Sequence, residues 1–298
     1  MGRTGLPQRG VAEIDAGARA IRASVHRPAA TARPLVFGTR MDAARNALEI
    51  ALARAAAEPA ARPAFYRLLL DSEIFAIGHT RSSNDGGDKL KLALMQWQTQ
   101  DGAPYLPFFA SMEALRRESD DEVAAVSMPA RNFFELTRGA TVVLNPSSDC
   151  GKEFTPGEIA TLLDTGMSQR VSAHTIPHSS QVLLGQPAQL PTRMLASLSA
   201  LLATRPEVRA AYLCQMHDPA RMPEPGLVVG FQGAGDLDRV MQDAATVVAD
   251  TVPPGHSVDF VAISRGDGGL GDYFLSSVAP FYRRSWSSRL KALFSSRA

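Results

Sequence analysis

The residues best placed to do chemistry lie between Asn145 and Lys152, in the run Asn145-Pro146-Ser147-Ser148-Asp149-Cys150-Gly151-Lys152. Cys150 stands ahead of an expected helix start and two residues from Lys152. A thiol so placed is pushed toward the thiolate, which makes Cys150 a candidate nucleophile or redox sensor. Asn145, Ser147, Ser148, the Gly151 backbone and Lys152 are candidate anion or ligand contacts, because unbonded N–H groups at a helix N-terminus attract negative charge. Asn-Pro, Ser-Ser and Gly are equally the ordinary makings of a tight turn, and Cys150 reads equally as a small loop residue. Cys214 falls in an apolar, strand-like run and is expected to be a core thiol.

Metal and cofactor signatures are incomplete. His174 and His178 are spaced i, i+4, but Pro177 interrupts any helix there, and no neighbouring carboxylate or cysteine completes a ligand set. Cys214-x-x-His217 has the same shortage. Residues 266–271, Gly-Asp-Gly-Gly-Leu-Gly, fit G-x-G-x-x-G after a strand, yet the chain is too near its end to supply the rest of a βαβ unit. They are read as a glycine loop, and no metal or cofactor is expected.

The last sixteen residues, 283–298, form a basic amphipathic tail. Trp286, Leu290, Leu293 and Phe294 fall at i, i+4, i+7 and i+8, with Arg283, Arg284, Arg289 and Lys291 around them. Such a helix can lie on an anionic membrane surface or enter a partner's groove, or pack on the acidic body of its own chain.

The elements that would position these residues fall into two patterns. From Met41, Leu48, Ala51, Leu52 and Ala55 mark a helix, and Phe65, Leu68 and Leu69 mark a second after Pro59. Strands are expected over residues 73–79, 90–98 and 105–109, with an Asp101-Gly102 hairpin signal between the last two. Ser111 caps a short helix through Leu115, strand 123–128 follows, and a helix around Phe133–Leu136 precedes strand 141–144. Thr155-Pro156-Gly157-Glu158 is a capping box with proline at the first helical position. Residues 41–165 are thus expected to be a mixed α+β domain, and the polar, aperiodic stretch 166–180 a linker. Residues 181–282 read β-α-β-β-α-β, the order of a ferredoxin-like domain. Residues 1–40, rich in Ala, Arg, Gly and Pro, show no sustained period; they are expected to be disordered or an extension upstream of a true start at Met41.

The chain has 298 residues, 45% of them hydrophobic, with two cysteines and a net charge of +1. That sum hides an acidic body between basic ends: +5 over residues 1–40, +5 from Arg283 onward, and −9 across the 242 residues between. An acidic body is a poor phosphate-backbone binder, so nucleic acid is not an expected partner. No apolar run approaches the roughly 18 residues of a membrane span. Two cysteines in different expected domains suit a reducing cytoplasm.

The run Tyr105-Leu106-Pro107-Phe108-Phe109-Ala110-Ser111, then Val143-Leu144-Asn145-Pro146-Ser147-Ser148, then Gly151-Lys152-Glu153-Phe154-Thr155-Pro156 with Glu158-Ile159, resembles the N-terminal domain of the SseB (enhanced serine sensitivity) family. Leu183-Leu184-Gly185-Gln186-Pro187, Ala210-Ala211-Tyr212-Leu213 and Pro280-Phe281-Tyr282 resemble that family's C-terminal domain, in the same order. The chain departs at Ala110, where the family usually has threonine, so that position offers no hydroxyl. The resemblance implies two α+β domains and a link to serine tolerance. It brings no agreed catalytic residues or reaction.

These readings favour a cytoplasmic, non-enzymatic binding or regulatory protein with a protein partner. One rival is a hydrolase or transferase assembled in space from Cys150 or Ser148 with His174 or His178. Another is a small-anion or amino-acid sensor built on the Asn145–Lys152 loop.

Overall fold

The computed structural model describes the strands 9–14 and 21–25 and residues 46–82, 90–119, 123–168, 183–217, 225–253, 256–265 and 269–284. The chain divides into two compact units, Met1–Ala57 with Ala64–Ser168, and Glu58–Pro63 with Gln169–Ala298.

The first unit contains β1 (Arg9–Ile14), β2 (Ile21–Val25), α1 (Ala47–Ala57), α2 (from Arg62 to Asp71), β3 (Glu73–Ser82), β4 (Leu90–Gln98), β5 (Pro104–Phe109), α3 (Met112–Glu118), β6 (Ala125–Pro129), α4 (Ala130–Leu136), β7 (Val142–Leu144), β8 (Lys152–Phe154) and α5 (Pro156–Thr165). The strands run β2-β1-β4-β3-β5-β7-β8, with β6 also paired to β3. Strand β3 changes partners along its length: Phe75 and Ala76 pair with β5 and from Gly78 onward the strand pairs with β4, while Glu73–Ile77 also pair with β6. Gly78 sits at the switch because a Cβ there would lie 2.3 Å from the Ala93 carbonyl oxygen. Strands β1 and β2 occupy residues for which no period was expected. Only β2 alternates apolar and polar residues, and over just five positions, too short to stand out in an arginine- and alanine-rich stretch, while β1 is registered on β4.

Strand β5 explains its own composition. Leu106 and Phe108 pack with Phe133, Phe134 and Phe154 under α1, α2, α4 and α5, while Tyr105 and Phe109 pack with Trp97 and Leu115 on the opposite face. A strand buried on both faces reads as a continuous apolar run rather than an alternation. Helix α5 starts as its capping box requires, with Thr155 Oγ1 accepting from Glu158 N–H and Glu158 Oε2 accepting from Thr155 N–H.

The second unit contains β9 (Leu183–Gly185), α6 (Thr192–Ala203), β10 (Val208–His217), β11 (Gly226–Gly233), α7 (Leu237–Val248), β12 (Val258–Ala262), α8 (Gly269–Ser277) and β13 (Tyr282–Arg283). The sheet order is β12-β11-β10-β13, with β9 beside β10. Ala211 and Leu213 of β10 face α6 and α7, whereas Ala210, Tyr212 and Cys214 face α8, giving a helix–sheet–helix layering.

The fold class is α+β, but two details depart from expectation. The β-α-β-β-α-β order is present, yet the strands are not interleaved as a split βαβ, ferredoxin-like sheet requires. Helix α7 joins β11 to a directly adjacent parallel β12, and α6 joins β9 to an adjacent antiparallel β10. Element order does not encode which edge a strand joins. The glycine loop is corrected as well, because Gly269–Gly271 already belong to α8. Packing of Phe274 onto the sheet overrides the weak helix propensity of glycine; a Cβ at Gly230 would stand 3.0 Å from the Phe274 ring.

Candidate functional site

The Asn145–Gly151 loop is two consecutive turns whose amides are largely occupied. Ser148 N–H donates to the Asn145 carbonyl at 3.0 Å, Gly151 N–H to the Ser148 carbonyl at 3.0 Å, and Cys150 N–H to Ser148 Oγ at 3.2 Å. Asn145 takes φ 46, a left-handed conformation asparagine tolerates better than most residues. At Gly151 a Cβ would sit 2.8 Å from the Asn145 carbonyl oxygen, so the turn closes only around glycine.

Asn145 ties this loop to the strand–helix junction. Its N–H donates to the Phe108 carbonyl at 2.9 Å, and its Oδ1 accepts from Ala110 N–H at 3.0 Å. The Ala110 carbonyl in turn accepts from Asn46 Nδ2 at 2.6 Å. Asn46 and Glu49 form a reciprocal cap on α1, with Glu49 N–H donating to Asn46 Oδ1 at 2.8 Å and Asn46 N–H to Glu49 Oε2 at 3.2 Å. Ser111 Oγ donates to Glu49 Oε1 at 2.8 Å and accepts from Ala114 N–H, so one hydroxyl caps α3 and binds α1. Arg117 lies 3.5 Å from Glu49 Oε1.

Two clefts, about 260 and 340 Å³, open beside this network and share Glu49 and Arg117. The smaller is lined by Glu49, Glu118 and Asp149 against Arg117, with Asn145, Ser147, Ser148 and Cys150 on its loop side. Three carboxylates against one guanidinium is the wrong charge for an anion. Lys152 does not line that cleft. Its Nζ donates to the Glu153 carbonyl and to Glu158 Oε1 at 3.0 Å, and it lies 5.0 Å above the Phe154 ring. The structure therefore brings Asn145, Ser147, Ser148 and Cys150 together and turns Lys152 toward the start of α5.

Both cysteines are free thiols. Cys150 is half-buried against the N-terminal core. Cys214 is fully buried, and burial pushes its thiol up to about 12, which makes it inert at neutral pH. His174 and His178 lie outside the described residues, as do Trp286, Arg289, Leu290, Lys291, Leu293 and Phe294 of the tail. Among the described residues no group of three His, Cys, Asp or Glu is placed to hold a metal, and no helix is long and apolar enough to cross a membrane.

The two described tail arginines have different roles. Arg284 is internal to the fold: Nε donates to the Val208 carbonyl at 3.1 Å, and Nη2 donates to the Leu202 carbonyl at 3.1 Å and to that of Arg205. With Tyr282, whose hydroxyl also donates to Leu202 at 3.0 Å, it closes the C-terminus of α6. Its expected role as a surface contact is thereby corrected: the α6 carbonyls need donors, and β13 delivers the guanidinium to them. Arg283 is exposed.

Arg283 lines a cleft of the second unit, about 830 Å³, with Arg209 of β10, Arg265 after β12, Asp272 and Leu275 of α8, and Arg284. Tyr212 and Gln232 also line it, joined by a 3.3 Å hydrogen bond. Arg209, Arg265 and Arg283 are exposed and make no ion pair among the described residues. The sequence reading missed Arg209 and Arg265; the one available signal was a lone arginine inside the apolar run Val208–Leu213.

Residues 48–161 match the SseB protein N-terminal domain, and residues 176–284 match the SseB protein C-terminal domain. The chain is 34% identical over 251 residues to Protein SseB of Escherichia coli (strain K12), an alignment covering 84% of this chain and 97% of that one. The identity and coverage are the same for Protein SseB of Shigella flexneri. A solved structure described as the sex pheromone staph-cAM373 precursor aligns at 8% identity over 77% of this chain and 93% of its own, with a TM-score of 0.15, too low to carry an argument.

Proposed function

The chain belongs to the SseB family, and from that premise we propose that it acts by binding, as a regulatory or protein-interaction protein of the cytoplasm, rather than by catalysing a reaction. One observation carries this reading. Residues of the family-like runs are engaged in holding the N-terminal unit together: Ser111, Asn145 and the backbone at Ala110 hydrogen-bond to one another's segments and to α1. A serine hydroxyl committed as a helix cap, as Ser111 is, and an asparagine committed to a buried amide are scaffold groups, not reacting ones.

The anion-sensor reading of the Asn145–Lys152 loop loses its support, because Lys152 is paired with Glu158 and the adjoining cleft is acidic. The link to serine tolerance comes with the family name. Two free thiols, one of them buried, suit a reducing compartment.

The test is native purification of the full chain from its source cells, followed by reconstitution with each co-purifying protein. A purified partner that binds at fixed stoichiometry supports the reading. A substrate turnover that Cys150→Ser or Ser148→Ala abolishes, with the fold intact, overturns it. A tail-truncated form should begin its deletion at Ser285, since Arg284 belongs to the fold of the C-terminal unit.

A further inference from the structure

We propose that the arginine-lined cleft of the C-terminal unit is a binding site for a phosphoryl-bearing ligand. This deepens the binding reading above and rests on it. The cleft gathers four arginines from three separate stretches of chain: Arg209 in β10, Arg265 after β12, and Arg283 and Arg284 at β13. Asp272 is the one acid on its walls, leaving a net charge of +3.

Unpaired arginines on a surface ordinarily stay apart, because like charges repel and each guanidinium is best hydrated alone. Here three of them border the same hollow with no carboxylate bound to any among the described residues. An anion is the missing partner. Guanidinium forks present paired N–H groups in a plane, the arrangement that meets phosphate or carboxylate oxygens two at a time. A phosphoryl group fits better than a carboxylate: it offers three oxygens and about two charges to three free forks, where a carboxylate offers two oxygens and one charge.

The cleft also limits what carries the phosphoryl group. At about 830 Å³ it is far larger than a bare phosphate ion and falls within the range of organic-ligand sites. Its lining is mixed, with Leu275 and the largely buried Ala210 and Tyr212 beside the Gln232 amide. The bound species is therefore an organic phosphate, either a free phosphorylated metabolite or a phosphorylated side chain of a partner protein.

The deciding experiment is calorimetry on the full chain at low salt with inorganic phosphate, pyrophosphate, a singly phosphorylated peptide and its unphosphorylated form. Phosphate and pyrophosphate are expected to bind, pyrophosphate more tightly, with log affinity falling linearly against log salt. Arg209→Ala, Arg265→Ala and Arg283→Ala should each weaken binding by about tenfold. All three are exposed and unpaired, so the melting temperature of each variant should match the parent, and one that unfolds is replaced by the corresponding Arg→Gln. A phosphopeptide tighter than phosphate and than its unphosphorylated form assigns the ligand to a partner protein; one no tighter than phosphate assigns it to a metabolite. Absence of binding by every phosphoryl probe, or binding undiminished in the triple alanine variant, overturns the proposal. Protein partners that still bind the triple variant at full affinity would exclude a phosphorylated partner side chain as the ligand, while leaving the binding reading intact.

Discussion

Ala110 and Asn145 stand 35 residues apart in the chain and meet through one buried hydrogen bond, Ala110 N–H to Asn145 Oδ1 at 3.0 Å. The bond joins the end of β5 to the turn after β7, and Asn46 completes it from α1 by donating to the Ala110 carbonyl. The position that lacks the family's usual hydroxyl thus contributes through its backbone. Asn145→Ala leaves a buried N–H without a partner, which costs about 1–3 kcal/mol, and adds strain at φ 46. Asn145→Gly removes the strain but not the loss of the bond. Chemical denaturation should rank the wild type above Asn145→Gly, and Asn145→Gly above Asn145→Ala.

Gly151→Ala would place a methyl group 2.8 Å from the Asn145 carbonyl oxygen and 3.3 Å from that of Leu144. Both are backbone atoms, so the loop itself must move. We expect a loss of about 1–3 kcal/mol and faster amide hydrogen exchange across residues 145–151. Lys152→Ala, next in sequence, removes a partly buried ion pair to Glu158 together with a hydrogen bond to the Glu153 carbonyl and the contact over Phe154, and should cost about 1 kcal/mol. Unchanged phosphate affinity in Lys152→Ala would separate this loop from the arginine cleft.

The two thiols should differ in kind. Native protein at pH 8 is expected to take up one equivalent of a thiol reagent at Cys150, with Cys214 reacting only on unfolding. Burial raises the Cys214 thiol from an ordinary 9.0 to about 12. Its stabilising effect is therefore fully present below pH 9 and is lost as pH rises toward 12, because the unfolded chain releases a proton that the folded chain retains. Cys214→Ala should flatten the loss of stability between pH 9 and 12, measured by denaturation at each pH. An unaltered slope would assign that loss to other groups.

Adjacent arginines provide an internal control. Arg284→Ala removes donors from three carbonyls around the end of α6, those of Leu202, Arg205 and Val208, and should destabilise the C-terminal unit by about 2 kcal/mol or more. Arg283→Ala, exposed and unpaired, should leave the melting temperature unchanged while weakening phosphate binding. Differential scanning calorimetry of the two variants distinguishes them directly.

Much of the scaffold was legible in the residues because the interactions behind it are local. The Thr155–Glu158 cap, the Ser111 cap, the doubly buried run of β5 and the apolar face of α7 each depend on spacings of a few residues. The same locality made the family motifs readable. Strand order in the second unit was not legible, since β12 settles beside β11 through register and packing that element order leaves free. Helix α8 was hidden by its glycines, which the packing of Phe274 and its α8 neighbours onto the sheet overrides. The arginine cleft was equally hidden: residues 209, 265 and 283 are separated by more than the span of any motif, and their charges meet because β10, β12 and β13 belong to one sheet. Sequence alone determined the caps, the buried faces and the family, whose causes lie within a turn or a strand. Tertiary structure decided which polar groups are already bonded and which arginines remain open, because hydrogen bonds and charge pairs between distant segments exist only once the chain has packed.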